Sequence, residues 1–286
     1  MRSETDFRPT GRVPIAVVLG TNDVASAVGR ALFLAGHGVV LSRDPAQPVL
    51  RRTMAYDAAL DSGAAELDGV AARPAESLVD ILNACTGRQA LCVTALELGE
   101  LLCLGLIDVL VDARMRMRML KVDIRPFARA TVGLGPGFTA GRHVDVAVET
   151  APEAVGVLRA GTTLAAHGRS ATLSGAGRER FARAEGAGLW LTAHDIGDPV
   201  AAGDVVGWCG EAPVAAPLAG RLRGLVRGGV LVPDGLKLLE VDPAPDGPPS
   251  WIGIAERPRR IAGAVLEALT TLGAMGAGAP ATQAPH

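Results

Sequence analysis

The stretch Val13-Pro-Ile-Ala-Val-Val-Leu-Gly-Thr-Asn-Asp-Val-Ala-Ser-Ala27 decides how the chain is read. Val13–Leu19 is an apolar run of strand length, and Gly20-Thr-Asn-Asp then opens a helix that reaches Leu34. Gly36 and Gly38 stop that helix, and Val39–Leu41 reads as a second strand. This is a β-loop-α-β unit of the dinucleotide-binding type. Its glycine fingerprint is incomplete. Asn22 and Ala25 stand where the second and third glycines belong, Asn22 tolerating a positive φ and Ala25 allowing close helix packing. Asp44, just past the second strand, is the candidate ribose acceptor. A true NAD site and a Rossmann-like scaffold without NAD both remain open.

Composition bounds the rest. The chain has 286 residues, 49% of them hydrophobic, enough for a proper core and for two domains. A net charge of −2 and 3% aromatics leave neither a basic footprint nor a stacking platform for nucleic acid. Lys121 and Lys237 are the only lysines, so nearly every positive charge is an arginine. The polar N-terminal stretch lacks the apolar core of a signal peptide. The most apolar run, Ala90–Val111, is broken by Glu97, Glu100 and Asp108, which excludes a membrane span and reads as a buried helix followed by a strand. A cytoplasmic location is expected. Four cysteines and five histidines show no metal-ligand spacing, and no metal site is expected.

Moving outward, Arg51-Arg52 follows a proline-bounded loop. The pair reads as a bidentate phosphate clamp or as an exposed charged turn. Ala58–Leu67 and Ala75–Ala84 look helical, and Asp108–Val111 looks like a strand with Asp112 at its carboxyl end, where open sheets bind ligands. Arg114-Met-Arg-Met-Arg-Met119 alternates with period two, which suits a half-buried strand or an anion groove. Ala130-Thr-Val-Gly-Leu-Gly-Pro-Gly-Phe-Thr-Ala-Gly141 is a short strand ending in Gly133, Gly135 and Gly137, and Val144–Glu149 is another strand. The glycines, with Thr139, make either an anion cradle or a tight structural turn. His143, Asp145 and Glu149 share strand parity, so they form an acid/base set or a solvated strand edge.

Gly161–Gly188 shows little periodicity, and the chain is all-β from Gly188 to Asp242. There Gly197-Asp-Pro-Val-Ala-Ala-Gly203 is echoed by Gly229-Val-Leu-Val-Pro-Asp-Gly235, a pattern resembling the two halves of a biotinyl/lipoyl-type barrel-sandwich hybrid. The hairpin that would carry a modified lysine, near Gly210–Val214, has none, so covalent biotin or lipoate is not expected. The expected architecture is therefore α/β. It comprises a Rossmann-like domain over 1–160, a linker or irregular segment over 161–187, a barrel-sandwich-hybrid-like module over 188–243, and a linker, C-terminal helix and disordered tail over 244–286.

Several blocks in order resemble the YqeB-type family associated with maturation of selenium-dependent molybdenum hydroxylases, allied with the XdhC-type accessory factors of xanthine dehydrogenase. They are Gly20…Asp23-Val-Ala-Ser26, Arg51-Arg52-Thr-Met-Ala-Tyr56, Val111-Asp-Ala113, Gly133–Gly141 with Glu149-Thr150, Pro217…Leu225 with Lys237, and Ile261–Ala268. The chain departs from the family after Thr150, after Ala113, and at Glu256-Arg257, where Asp-Lys is expected. The resemblance implies an accessory factor that binds molybdopterin, or a molybdopterin dinucleotide, and delivers it to a molybdenum hydroxylase client. The residues nominated for that ligand are Gly20, Asn22, Asp23, Arg51, Arg52, Asp112, Gly133, Gly135, Gly137 and Thr139, with no catalytic residue assigned. The alternatives are an NAD(P)-binding oxidoreductase and a non-catalytic assembly subunit. A homo-oligomer is compatible with each.

Overall fold

The structure, a computed structural model, describes residues 12–105, 107–116, 120–165, 171–244 and 249–274. The first strands are β1 (Ile15–Leu19), β2 (Gly38–Ser42), β3 (Ala65–Leu67), β4 (Val70–Pro74) and β5 (Leu91–Thr94). They are followed by β6 (Val109–Asp112), β7 (Ala130–Leu134), β8 (Val146–Glu149) and β9 (Gly156–Leu158). These make one nine-stranded sheet in the order β3-β4-β5-β2-β1-β6-β7-β8-β9. Neighbours from β4 to β8 run parallel, whereas β3 and β9 are antiparallel edges. The central strands are continuous apolar runs because both faces of a parallel sheet are covered.

The helices are α1 (Asp23–Leu34), α2 (Ala59–Ser62), α3 (Leu78–Gly87), α4 (Leu98–Leu101) and α5 (Glu256–Thr271). Helix α5 packs on α1, and both bury their apolar stripes against one face of the sheet. Ile81 and Cys85 of α3 enter the core on the other face. Helix α1 starts where the sequence suggests, but Asn22 has φ −67° and is the helix cap, its side chain accepting from the N–H groups of Val24 and Ala25. The helix expected over Ala58–Leu67 lasts one turn, because Gly63 at φ 81° ends it and β3 follows.

The expected Rossmann-like domain is corrected by this topology. A doubly wound sheet returns each parallel strand through a helix. Here the described part of the connection from β6 to β7 holds only a 3-10 turn at Arg125–Phe127, and the connection from β7 to β8 holds no helix. The cause lies in the sequence, since the glycine- and proline-rich Gly133–Gly141 segment cannot form one. The Arg-Met alternation does not form a strand over its described part, 114–116, and Met115 turns left-handed at φ 57°. Residues 117–119 lie outside the described residues.

The remaining strands are β10 (Phe181–Arg183), β11 (Gly188–Leu191), β12 (Pro199–Val200), β13 (Val205–Cys209), β14 (Ala212–Ala215), β15 (Gly220–Leu225), β16 (Val230–Val232) and β17 (Lys237–Asp242). They build two four-stranded antiparallel sheets, β10-β17-β15-β12 and β14-β13-β11-β16. Trp190, Leu222, Leu225, Leu238 and Val241 fill the space between them. The biotinyl/lipoyl-like module is likewise corrected. The sheets take in β10 from the segment before Gly188, and they close directly on the first sheet's loops, with Leu225 N donating to Leu50 O at 2.8 Å. The sequence echo marks two turns, with Gly203 at φ 91° and Gly235 at φ 73°. Repeated turn chemistry of that kind does not specify a carrier scaffold. Among the described residues no helix is long and apolar enough to cross a membrane.

Candidate functional site

The carboxyl ends of β1, β6, β7 and β8 lie side by side, and the loops that leave them converge. An added Cβ at Gly20 would lie 3.2 Å from the Ala113 carbonyl, and Asn22 Nδ2 donates to that same carbonyl at 2.9 Å. A Cβ at Gly135 would lie 3.1 Å from Met115 Sδ and 3.3 Å from Thr150 Oγ1. Arg257, in the first turn of α5, reaches the same place and donates Nε and Nη2 to the Thr150 carbonyl at 3.0 and 2.8 Å.

Arg51 fastens this edge to the second pair of sheets. Its Nη1 donates to Asp23 at 2.7 Å, while Nε and Nη2 donate to the two oxygens of Glu240 at 2.7 and 3.1 Å. Glu240 is fully buried in β17 and also accepts from Arg180 at 2.9 Å and from Arg223 at 3.1 and 3.2 Å. Burial alone would raise the Glu240 pKa, but Arg51, Arg223 and Arg180 overcome it and hold it at about 2. Burial opposes the Arg51 charge too, yet Asp23 and Glu240 outweigh it and raise its pKa. Burial, then Arg183 and Arg51, depress Lys237 to about 8. Arg52 turns elsewhere, to the Leu225 carbonyl at 2.9 Å and to Asp195 at 2.9 Å.

The glycine-rich turn is largely self-satisfied. Gly135 N donates to Val148 O, Phe138 N to Thr163 Oγ1, Thr139 N to His143 Nδ1 and Ala140 N to Gly161 O. Gly133 is required by packing, since a Cβ there would sit 2.4 Å from the Phe138 ring. Thr139 Oγ1 bonds Thr162 at 2.8 Å. Gly137, at φ 84°, has only the Lys121 side chain near the place of its missing Cβ. Lys121 Nζ lies 4.4 Å over the Phe138 ring.

Asp112 and Asp44 are both buried and both claimed by arginines. Arg114 grips Asp112 with Nε at 3.0 Å and Nη2 at 2.6 Å. Arg116 holds Asp44 through Nε at 2.7 Å and a second bond from Nη2. The carboxylate expected to receive a ribose is therefore occupied by a guanidinium. His143, Asp145 and Glu149 do not converge. His143 accepts from Thr139 N, Asp145 binds Thr131, and Glu149 accepts three backbone N–H groups, from Thr150, Ala151 and Leu164.

So the structure brings together Gly20, Asn22, Asp23, Arg51, Asp112 and Gly135, and turns Arg52 and Thr139 to other partners. Sequence reading did not nominate Arg180, Arg223, Glu240 or Arg257. The available signal was Glu240 itself, a charge at the centre of the apolar strand Lys237-Leu-Leu-Glu-Val-Asp242. Among the described residues no group of three or more His, Cys, Asp or Glu side chains is placed to hold a metal.

Fold and site define a mixed-sheet α/β protein with an arginine-lined face at the carboxyl edge of its parallel strands. In sequence it is related to the uncharacterized protein YqeB of Escherichia coli strain K12, 32% identical over 270 residues, which make up 92% of this chain and 48% of that protein. The match supports the YqeB family, and the chain spans about half the length of that curated relative. No family model matches it. Among solved structures, the product-bound ectoine utilization protein EutE (DoeB) of Ruegeria pomeroyi aligns at 14% identity over 80% of this chain and 85% of its own, with a TM-score of 0.24. A succinylglutamate desuccinylase/aspartoacylase of Rhodobacter sphaeroides aligns at 14% identity over 81% and 85%, with a TM-score of 0.25. Scores this low carry nothing about activity.

Proposed function

We propose that the chain is an accessory factor for a molybdenum-containing hydroxylase, one that binds molybdopterin or its dinucleotide form as cargo and passes it to the client. The observation that carries this reading is the convergence of four strand-end loops on Arg51 and Arg257. Guanidinium groups at such an edge suit the phosphate or pyrophosphate of the cofactor. Nothing in the loops' backbone is needed for it, since the Gly20 and Gly135 N–H groups are already donated to Ser42 O and Val148 O. Arg116 on Asp44 disfavours the nicotinamide reading, which needs that carboxylate for a ribose.

The client would dock on the second pair of sheets. Leu189, Leu191, Val205, Trp208 and Leu231 stand exposed there, beside a groove of about 550 Å³ lined by Leu191, His194, Val205 and Trp208. An apolar face of this kind marks an interaction surface. The reading is tested by titrating the full chain with molybdopterin, its cytosine and guanine dinucleotides, and NAD. Saturable binding of a pterin form with none of NAD is expected. Absence of binding by every pterin form would leave the non-catalytic assembly role in its place.

A further inference from the structure

We propose that Arg51, Arg223 and Arg257 together form a subsite for a dianionic phosphate group, the phosphate ester or pyrophosphate of a small ligand. This deepens the function proposed above and rests on it for the identity of the whole ligand, though the subsite itself rests on charge and geometry.

Five buried or half-buried cations act on one another here, namely Arg51, Arg180, Arg223, Lys237 and Arg257, and they face three carboxylates, Asp23, Glu149 and Glu240. Each carboxylate is already committed. Glu240 accepts from three arginines, Asp23 from Arg51, and Glu149 from three backbone N–H groups. Asp242, next on the same side of β17, accepts from Ser174 Oγ at 3.1 Å and Ala244 N at 3.0 Å. Arg257 is the cation with the poorest compensation. Its guanidinium is aimed at the Thr150 carbonyl, a neutral acceptor that balances no charge.

A surplus of positive charge withdrawn from water is costly unless an anion joins it. Its effect shows in the groups themselves. Burial, then Arg51, lowers the Arg223 pKa, and burial, with Arg51 acting against the help of Asp23, lowers that of Arg257. A single phosphate group supplies two charges and several acceptor oxygens, which planar guanidinium forks meet bidentately. A chloride ion supplies one charge and no such geometry. The place is right for a ligand as well, because Thr150 ties Arg257 to the Gly135 turn and Asp23 ties Arg51 to the start of α1.

The test uses the full chain and sodium pyrophosphate at constant ionic strength, read by calorimetry and by thermal shift. Wild type is expected to bind saturably and to melt higher. Arg257→Gln should weaken binding about tenfold or more, the loss of one charge-assisted hydrogen bond, with little change in the unliganded melting temperature. Arg257→Lys, which keeps the charge, should bind between the two. Arg260→Gln, on the exposed side of α5, should bind like wild type. No saturable binding by wild type, or equal binding by Arg257→Gln, overturns the subsite. If pyrophosphate binds and no pterin form does, the subsite stands and the molybdenum reading falls. If a pterin form binds equally well to wild type and Arg257→Gln, the subsite falls and the molybdenum reading stands.

Discussion

Replacing Glu240 by Gln tests whether one carboxylate holds the two halves of the molecule together. The side chain is fully buried and accepts from Arg51, Arg180 and Arg223. An amide in its place removes the only charge shared by three buried guanidiniums and turns an NH2 toward one of them. Breaking a buried ion pair from one side costs about 3–5 kcal/mol. The folded-state pKa provides a separate figure. Holding Glu240 at about 2, against an ordinary value of 4.5, corresponds to roughly 3 kcal/mol of stability at neutral pH. The two routes agree, and for a chain of this length they translate into a melting temperature lower by roughly 5–10 °C. The pH dependence has a definite sign. Because the folded pKa is depressed, the contribution is complete above the ordinary value of 4.5 and drains away as pH falls toward 2. Thermal unfolding of wild type and Glu240→Gln followed by circular dichroism at pH 7, 5, 4 and 3 measures this. The gap should be full at pH 7 and less than half as large at pH 3. A variant melting within about 1 °C of wild type at pH 7, or a gap undiminished at pH 3, would refute the role assigned to Glu240.

Two further substitutions separate packing from charge. Gly133→Ala drives a methyl to within 2.4 Å of the Phe138 ring, so urea denaturation should show a loss of about 1–3 kcal/mol from overpacking alone. Wild-type stability would assign Gly133 to some need other than space. Lys237 has its pKa lowered to about 8, which means its proton opposes folding, and wild type should gain stability relative to Lys237→Met as pH rises from 8 to 10.5. A melting-temperature gap that stays constant across that window would deny Lys237 its strained charge.

How much of this was legible follows from the range of each interaction. The β1-α1-β2 unit could be read because its signals are local: an apolar run, an Asn cap and two closing glycines within thirty residues. The strand ends at Gly20, Asp112 and Gly135 could be read for the same reason, and they do meet at one edge. The helix-poor crossovers were harder to see. A Gly-Pro-Gly turn and an Arg-Met alternation each fit several backbones, and only pairing with neighbouring strands selects one. The arginines were hardest. Arg51 looks like a free clamp beside Arg52, yet its partner Glu240 is 189 positions away and two other arginines share that partner. Nothing local to Arg51 encodes this, but the strand Lys237–Asp242 does carry a sign of it. A carboxylate in the middle of a buried strand must recruit cations from elsewhere or go uncharged. In a chain with two lysines those cations are arginines, and once Glu240 has taken three of them, the charge still unmatched at the edge is that of Arg257. The ligand face is therefore defined less by the glycine-rich turn, whose N–H groups are mostly consumed within the protein, than by what the ion network leaves over.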